Sequence, residues 1–210
     1  MYMSRVKLNH HNRKTLMAFN NLNLFHGAIQ NALDCSEKRS LWRIDQLKGN
    51  SYLLIVSSEK PKLDVLIKQF GYRELNRNQG LTKNYIAFLD TLEKGQVWRF
   101  RYRANPIASS SDKPYGVRGK KIPVAIDKQS EWLLNRAEKM GIILKNKKDK
   151  QTFDIIARGT DVVKKTRTFN IKTVTYEGHL QIENIEKLRE VLINGYGRSK
   201  AYGCGLLTLA

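Results

Sequence analysis

The hydrophobic period of this chain switches from two residues to about 3.6 and back, in the same order twice, and no other feature constrains its fold as strongly. A period of two marks a half-buried strand, and a period near 3.6 marks an amphipathic helix. In the first pass, Tyr2 to Leu8 alternates and predicts a strand. Leu24 to Leu33 carries Phe25, Ala28, Ile29, Ala32 and Leu33 at helical spacing. Leu41 to Ile44 and Tyr52 to Val56 predict strands, joined through the turn signal Lys48-Gly49-Asn50. Leu63 to Phe70 predicts a helix behind Pro61, and a short strand is expected at Tyr72 to Leu75.

The second pass opens with Val97 to Arg103 (VWRFRYR), the clearest strand in the chain. It puts Trp98, Phe100 and Tyr102 on one face and Arg99, Arg101 and Arg103 on the other. A helix is expected over Ser130 to Met140 and a strand over Phe153 to Ala157. Phe169 to Thr175 and His179 to Ile182 predict two strands around a hairpin-like turn at Glu177-Gly178. A helix over Ile185 to Ile193 and a strand over Gly203 to Leu209 complete the pass. The order strand, helix, strand, strand, helix, strand is the split βαβ pattern. The expected architecture is α+β: two tandem ferredoxin-like (RRM-like) βαββαβ domains, residues 1–94 and 95–210, with 76–94 as connector. Basic insertions fall at 105–121 and 145–168.

Charge narrows the partner. The chain carries 38 Lys and Arg against 19 Asp and Glu, net +19. Residues 94–172 alone hold 20 basic and 7 acidic side chains, so the excess lies in folded-looking sequence rather than in a tail. A charge this far from zero repels itself in a compact state and points to a polyanion, nucleic acid before membrane. No apolar run approaches the roughly 18 residues that span a bilayer, and the N-terminus lacks a signal-type apolar core. The expectation is a cytoplasmic protein with no membrane partner. Cys35 and Cys204 make neither a disulfide framework nor a zinc site, and read as packing cysteines.

Between the last helix and the last strand lies GYGRSKAYGCG, residues 195–205. Free N–H groups in such a turn form a concave anion site, and Arg198 and Lys200 add donors beside Gly195 and Gly197. The alternative is a tight helix-to-strand turn that needs glycines in order to fit. GxxxxGK[ST] is absent, so no nucleoside-triphosphate loop is expected. Basic clusters recur at Arg99, Arg101 and Arg103, over Lys113 to Lys121, and at Lys164, Lys165 and Arg167. Each is either a solvated face or a grip on phosphate, and their clustering within 94–172 favours the second. The usual RRM signature is absent, which suits a binder of structured RNA.

Four segments, in order along the chain, resemble one family. The tail is similar to the C-terminal glycine-rich loop of CRISPR-associated repeat-RNA endoribonucleases. Arg99-Phe-Arg-Tyr-Arg-Ala-Asn-Pro106 resembles the RFRLRANP stretch of the CasE branch, the repeat-processing subunit of type I-E Cascade. Tyr176-Glu-Gly-His-Leu180 is similar to its FEG-x-L segment, and Met1-Tyr-Met-Ser-Arg-Val to its MYLSKV start. The resemblance implies two tandem ferredoxin-like domains, a CRISPR repeat RNA hairpin as substrate and other Cascade-type subunits as partners. It also implies a basic loop on the repeat stem, matched here by Arg118, Lys120 and Lys121.

The chain has four histidines. His10 and His11 sit in a polar stretch and read as solvated; His179 reads as structural or surface. His26 lies at the edge of the apolar stripe of the first helix, where it is either a half-buried packing residue or packed below and open to substrate above. The resemblance implies the second, because family members carry a histidine at the start of this helix. There it acts as general acid or base while the RNA's own 2′-OH attacks the adjacent phosphorus and leaves a 2′,3′-cyclic phosphate. Such cleavage needs no metal and no small-molecule cofactor. Family members often have tyrosine three residues earlier. This chain has Asn23, which can hold a phosphate oxygen or the histidine but cannot transfer a proton. A non-cleaving structural subunit of a CRISPR ribonucleoprotein is the alternative, and an unrelated basic, ribosome-associated protein a third reading.

Overall fold

A computed structural model of the protein describes residues 1–33, 40–72, 79–109, 119 and 121–210. Among these, the first half runs β1 (Tyr2–Leu8), α1 (Arg13–Phe19), α2 (Asn23–Asn31), β2 (Leu41–Leu47), β3 (Asn50–Ser57), α3 (Leu63–Phe70), β4 (Gly80–Asn84) and α4 (Ile86–Leu89). The second half runs β5 (Val97–Ala104), β6 (Ile107–Ser109), β7 (Lys121–Pro123), a 3-10 turn at Ile126–Lys128, α5 (Gln129–Leu134), α6 (Ala137–Met140) and β8 (Ile142–Ile143). It continues with β9 (Phe153–Lys164), β10 (Thr168–Ile182), α7 (Ile185–Asn194), a 3-10 turn at Lys200–Tyr202 and β11 (Leu207–Leu209). No helix among the described residues is long and apolar enough to cross a membrane.

The first sheet has the order β2-β3-β1-β4, and the second β11-β5-β10-β8 with β9 also paired to β10. In both, the first and third strands of the pass lie at the centre, antiparallel, and the fourth and second flank them. This is the ferredoxin-like arrangement, once in each half, as the doubled pattern predicts. β6 and β7 form a separate ribbon.

Local chemistry explains the elements. β1 alternates, with Ser4, Val6 and Leu8 buried. The β2–β3 turn has Lys48 at φ 49 and Gly49 at φ 74, the mirror-image two-residue turn whose twist matches its strands. Phe25, Ala28 and Ile29 of α2 and Leu66 and Phe70 of α3 are buried with Trp42, Leu53 and Ile55. The other core is shared between the halves: Phe100, Tyr102, Tyr176 and Leu188 pack with Leu41, Val56, Tyr85 and Leu89. Arg43, 1% exposed, fastens that junction. It donates to Arg101 O and Leu206 O at 2.9 Å and to Thr208 Oγ1 at 2.8 Å, and holds Asp45 at 2.7 Å. A charge so buried requires this full set of partners.

Several expectations need correction. The fourth strand of the first sheet is Gly80–Asn84, inside the expected connector. Of the strand expected at Tyr72 to Leu75, Tyr72 is not in a strand and 73–75 lie outside the described residues. β4 pairs only with β1 and carries no alternating apolar pattern, so periodicity cannot reveal it. α1 buries only Thr15 and Ala18 and has no apolar stripe; its N-cap is Asn12, which accepts from Lys14 N. His10, ahead of it, stacks on Phe19 at 5.3 Å. The helix expected over Ser130 to Met140 is broken into α5 and α6.

Glu177-Gly178 is not a turn. It lies within the fifteen-residue strand β10, and the hairpin bend falls at residues 165–167 instead. Gly178 pairs with Phe100 on one side and Phe153 on the other. A Cβ there would stand 2.3 Å from Thr152 O and 2.4 Å from Phe153 Cα, so this glycine serves close packing rather than chain reversal.

Candidate active site

His26 occupies the first turn of α2, half-buried, as its stripe-edge position indicates. Its Nδ1 is buried without a hydrogen-bond partner. Burial, and then the positive charge of Lys165, hold its pKa below the ordinary 6.5. A protonated ring would leave the Nδ1–H buried and unpaired, so the neutral imidazole is favoured at neutral pH. Asn23 stands one helical turn earlier, its backbone N–H donating to Asn21 Oδ1 at 3.3 Å.

Lys165 comes from the far half of the chain. The tip of the β9–β10 hairpin docks on the residues that lead into α2. Asn21 clamps it from both sides, donating Nδ2 to Lys164 O at 3.3 Å and accepting from Lys164 N at 3.0 Å. Leu22 N also donates to Val162 O at 3.4 Å. The 3-10 turn of the glycine-rich tail supplies Tyr202, whose ring meets His26 edge-on with centroids 6.3 Å apart. The Lys165 ammonium lies 5.6 Å from the centre of the Tyr202 ring, and Phe169 packs on the same ring at 5.7 Å. The hairpin tip and the glycine-rich tail, both distant in sequence, thus converge on one imidazole. Beneath them Cys204 is buried with Val163 and Ile171; burial pushes its thiol up to about 12, which leaves it a packing residue. Cys35 lies outside the described residues.

The tail combines both readings of its glycines. Gly195, at φ 66, lies so close to β2 that a Cβ would stand 2.6 Å from Leu41 Cδ2, so fit alone requires glycine there. The N–H groups of Gly197 and Arg198, in contrast, donate to no described residue, and the Arg198 side chain is exposed with no partner among them. Those groups are free for an anion. Lys200 turns inward and donates its ammonium to Asn194 O at 2.7 Å and Gly195 O at 2.8 Å, at the C-terminus of α7.

The β5 arginines face the solvent side of their strand, as expected, but they meet carboxylates. Arg99 and Arg101 both pair with Glu177, the latter at 2.8 Å, and Arg101 also reaches Asp45 at 3.6 Å. Arg103 pairs with Asp161 at 2.7 Å. Burial raises the Glu177 carboxyl, and the Arg101 and Arg99 guanidiniums outweigh it to hold the pKa below its ordinary value. The acids come from β2, β9 and β10, so the sequence of β5 gives no sign of them. Lys164 and Arg167 are exposed at the hairpin tip. Lys121 donates to Ser109 Oγ across the β6–β7 ribbon, while Arg118 and Lys120 lie outside the described residues. Tyr202, Asn21 and Glu177 are the site residues that sequence reasoning missed. Tyr202 stands within the tail and Glu177 within the Tyr176–Leu180 segment already singled out, though neither was read as a site residue; Asn21 carries no local signal.

Comparison with known proteins gives this geometry its relatives. The Thermus thermophilus protein named CRISPR-associated endoribonuclease Cse3 is 26% identical over 191 residues, covering 87% of this chain and 85% of that protein. The structure of T. thermophilus Cse3 bound to an RNA representing a pre-cleavage complex matches 100% of this chain and 98% of that one, with a TM-score of 0.81 at 23% identity. The CRISPR-associated protein Cas6e from Escherichia coli K-12 matches 100% and 99%, with a TM-score of 0.65 at 21% identity. A family model described as CRISPR associated protein matches residues 1–210. From its first residue to its last, therefore, the chain belongs to the CRISPR-associated protein family.

Proposed function

We propose that this protein is an endoribonuclease that cuts CRISPR precursor RNA at the base of the repeat hairpin, keeps the product and acts within a Cascade-type complex. The observation that carries the proposal is the convergence on His26. A neutral, half-exposed imidazole lies between an ammonium on one chain segment and a glycine-rich loop on another, in a chain similar to a protein named for this activity. His26 takes the proton of the 2′-OH as that oxygen bonds to the adjacent phosphorus; the opposite P–O5′ bond breaks in line, and the leaving 5′-oxygen takes a proton from water. Lys165 and the amide of Asn23 stabilise charge on the phosphoryl oxygens. The nucleophile is part of the substrate, so the step requires no metal. Lys164 and Arg167 hold the backbone around the cut, and Lys121 with the free donors of Gly197 and Arg198 holds RNA on the far flank of the glycine-rich loop. Arg99, Arg101, Arg103 and Lys200 support this surface through their internal partners, and the family resemblance adds Arg118 and Lys120 as contacts to the stem. A cytoplasmic site of action follows from the RNA partner.

The test is His26→Ala incubated with hairpin repeat RNA in EDTA. General acid–base catalysis is worth roughly 100- to 10,000-fold, so cutting by the variant falls by at least about 100-fold while RNA binding stays. Undiminished cutting overturns the assignment. Absence of cutting by the unsubstituted protein, with tight binding retained, selects the non-cleaving subunit that Asn23 keeps in view.

A further inference from the structure

A second concave site lies on the other flank of the glycine-rich loop. The loop offers Tyr202 to His26 on one side, and on the other Tyr196, Gly197 and Arg198 line a cavity of about 250 Å³. Its opposite wall is Asn105 and Ile107, which follow β5, with Lys121 of β7 and with Trp132 and Arg136 around α5. The volume is below the roughly 300 Å³ at which drug-sized ligand pockets begin, which suits one nucleotide and excludes a stem.

The wall is prebuilt. Tyr102, Tyr176 and Trp132 stack in sequence, with centroids 6.2 and 6.4 Å apart and planes within 18° and 9°. Trp132 Nε1 donates to Ile107 O at 3.3 Å, Tyr176 Oη to Gln129 O at 2.9 Å and Tyr102 Oη to Tyr196 O at 2.9 Å. The Arg136 guanidinium caps the column, 4.1 Å from the centre of the Trp132 ring, and is tied to Trp132 O at 2.8 Å. Asn105 gives Nδ2 to Ser199 Oγ at 2.9 Å, which leaves its amide oxygen without a partner among the described residues. No carboxylate of a described residue lines the cavity. Arg136, Arg198 and Lys121 form no ion pair with a described residue, whereas the three arginines of β5 all do. Fixed rings, a guanidinium plane, unpaired cations and free loop N–H groups are the requirements of a base and its phosphate.

We propose that this cavity holds one unpaired nucleotide of the RNA outside the hairpin stem, its base against Arg136 and Tyr196 and its phosphate on Arg198 and the Gly197 N–H. The inference rests on the reading that the protein binds repeat RNA. It adds a single-strand anchor to a surface otherwise suited to a duplex, and sets how the strand leaves the cut.

The experiment uses repeat hairpins with single-stranded flanks in which each flank nucleotide in turn is made abasic, with Kd measured for every RNA. Loss of one stacked base raises Kd about fivefold or more at a single flank position. In Arg136→Met and, independently, in Arg198→Ala, the ratio of abasic to intact Kd falls toward one. A flat scan with tight binding of the stem overturns the proposal. Failure of any hairpin to bind overturns the RNA-binding reading beneath it and is seen in the unmodified RNA. AMP alone forms the other arm. Micromolar binding of AMP in equilibrium dialysis together with a flat scan assigns the cavity to a free nucleotide and also overturns the proposal.

Discussion

Residue by residue, what distinguishes His26 is a missing partner. His10 reaches Ser51 Oγ at 2.8 Å, whereas the Nδ1 of His26 is buried with none. Its pKa is lowered by burial and by Lys165, and the sign of the consequence follows. Between the lowered value and 6.5 the unfolded chain binds this proton and the folded chain does not. Stability from this residue is therefore complete above 6.5 and declines as pH falls through the folded value. Urea midpoints of the protein and of His26→Gln, compared from about pH 5 to pH 8, are expected to converge toward the acid end as the unsubstituted protein loses this increment. A difference that is constant with pH contradicts the assignment. His26 was legible as an edge residue because helical spacing exposes position, but its missing partner and its lysine neighbour depend on contacts across some 140 positions of sequence.

Among the elements, strands with a packed and a solvated face were read from sequence and those without were not. β5 alternates because Phe100, Tyr102 and Ala104 are buried and the arginines between them are not. β4 is an edge strand with little to bury, and only the start of β9, Phe153 to Ala157, was read, because the strand runs on past a bulge opposite Thr175 and Tyr176 with mostly exposed side chains. Gly178 misleads because glycine marks both turns and close approaches, and one sequence does not separate them. Its role is measurable. Gly178→Ala places a methyl against backbone atoms of Thr152 and Phe153 that cannot yield as a flexible side chain would, so a loss of about 1–3 kcal/mol is expected in urea unfolding. A change within about 0.5 kcal/mol, the range of neutral surface substitutions, contradicts the packing account.

For the molecule as a whole, net charge points to a polyanion and tertiary structure shows which cations are left without an internal ion-pair partner among the described residues. Three of the twenty basic residues in 94–172, Arg99, Arg101 and Arg103, are held internally by Glu177, Asp161 and Asp45. Cations without an ion pair to a described residue stand at the hairpin tip (Lys164, Arg167), in the glycine-rich loop (Arg198) and at the cavity beside it (Arg136, Lys121). Binding of a repeat hairpin is expected to weaken linearly in log Kd against log salt, with a slope of about three or more, since each phosphate contact releases close to one counterion. A slope near zero contradicts a phosphate-dominated interface. Sequence alone determined the doubled ferredoxin-like order, because side-chain period is a local property that each strand and helix imposes on its own residues. It also pointed to a polyanionic partner, because charge is additive along a chain. Only the tertiary structure decided which cations lack an internal ion-pair partner among the described residues, that Tyr202 and Lys165 stand at His26, and that the glycine-rich loop faces His26 on one flank and a cavity on the other. Those depend on pairings between residues far apart in the chain, and no local pattern encodes which distant carboxylate, ring or carbonyl a side chain will meet.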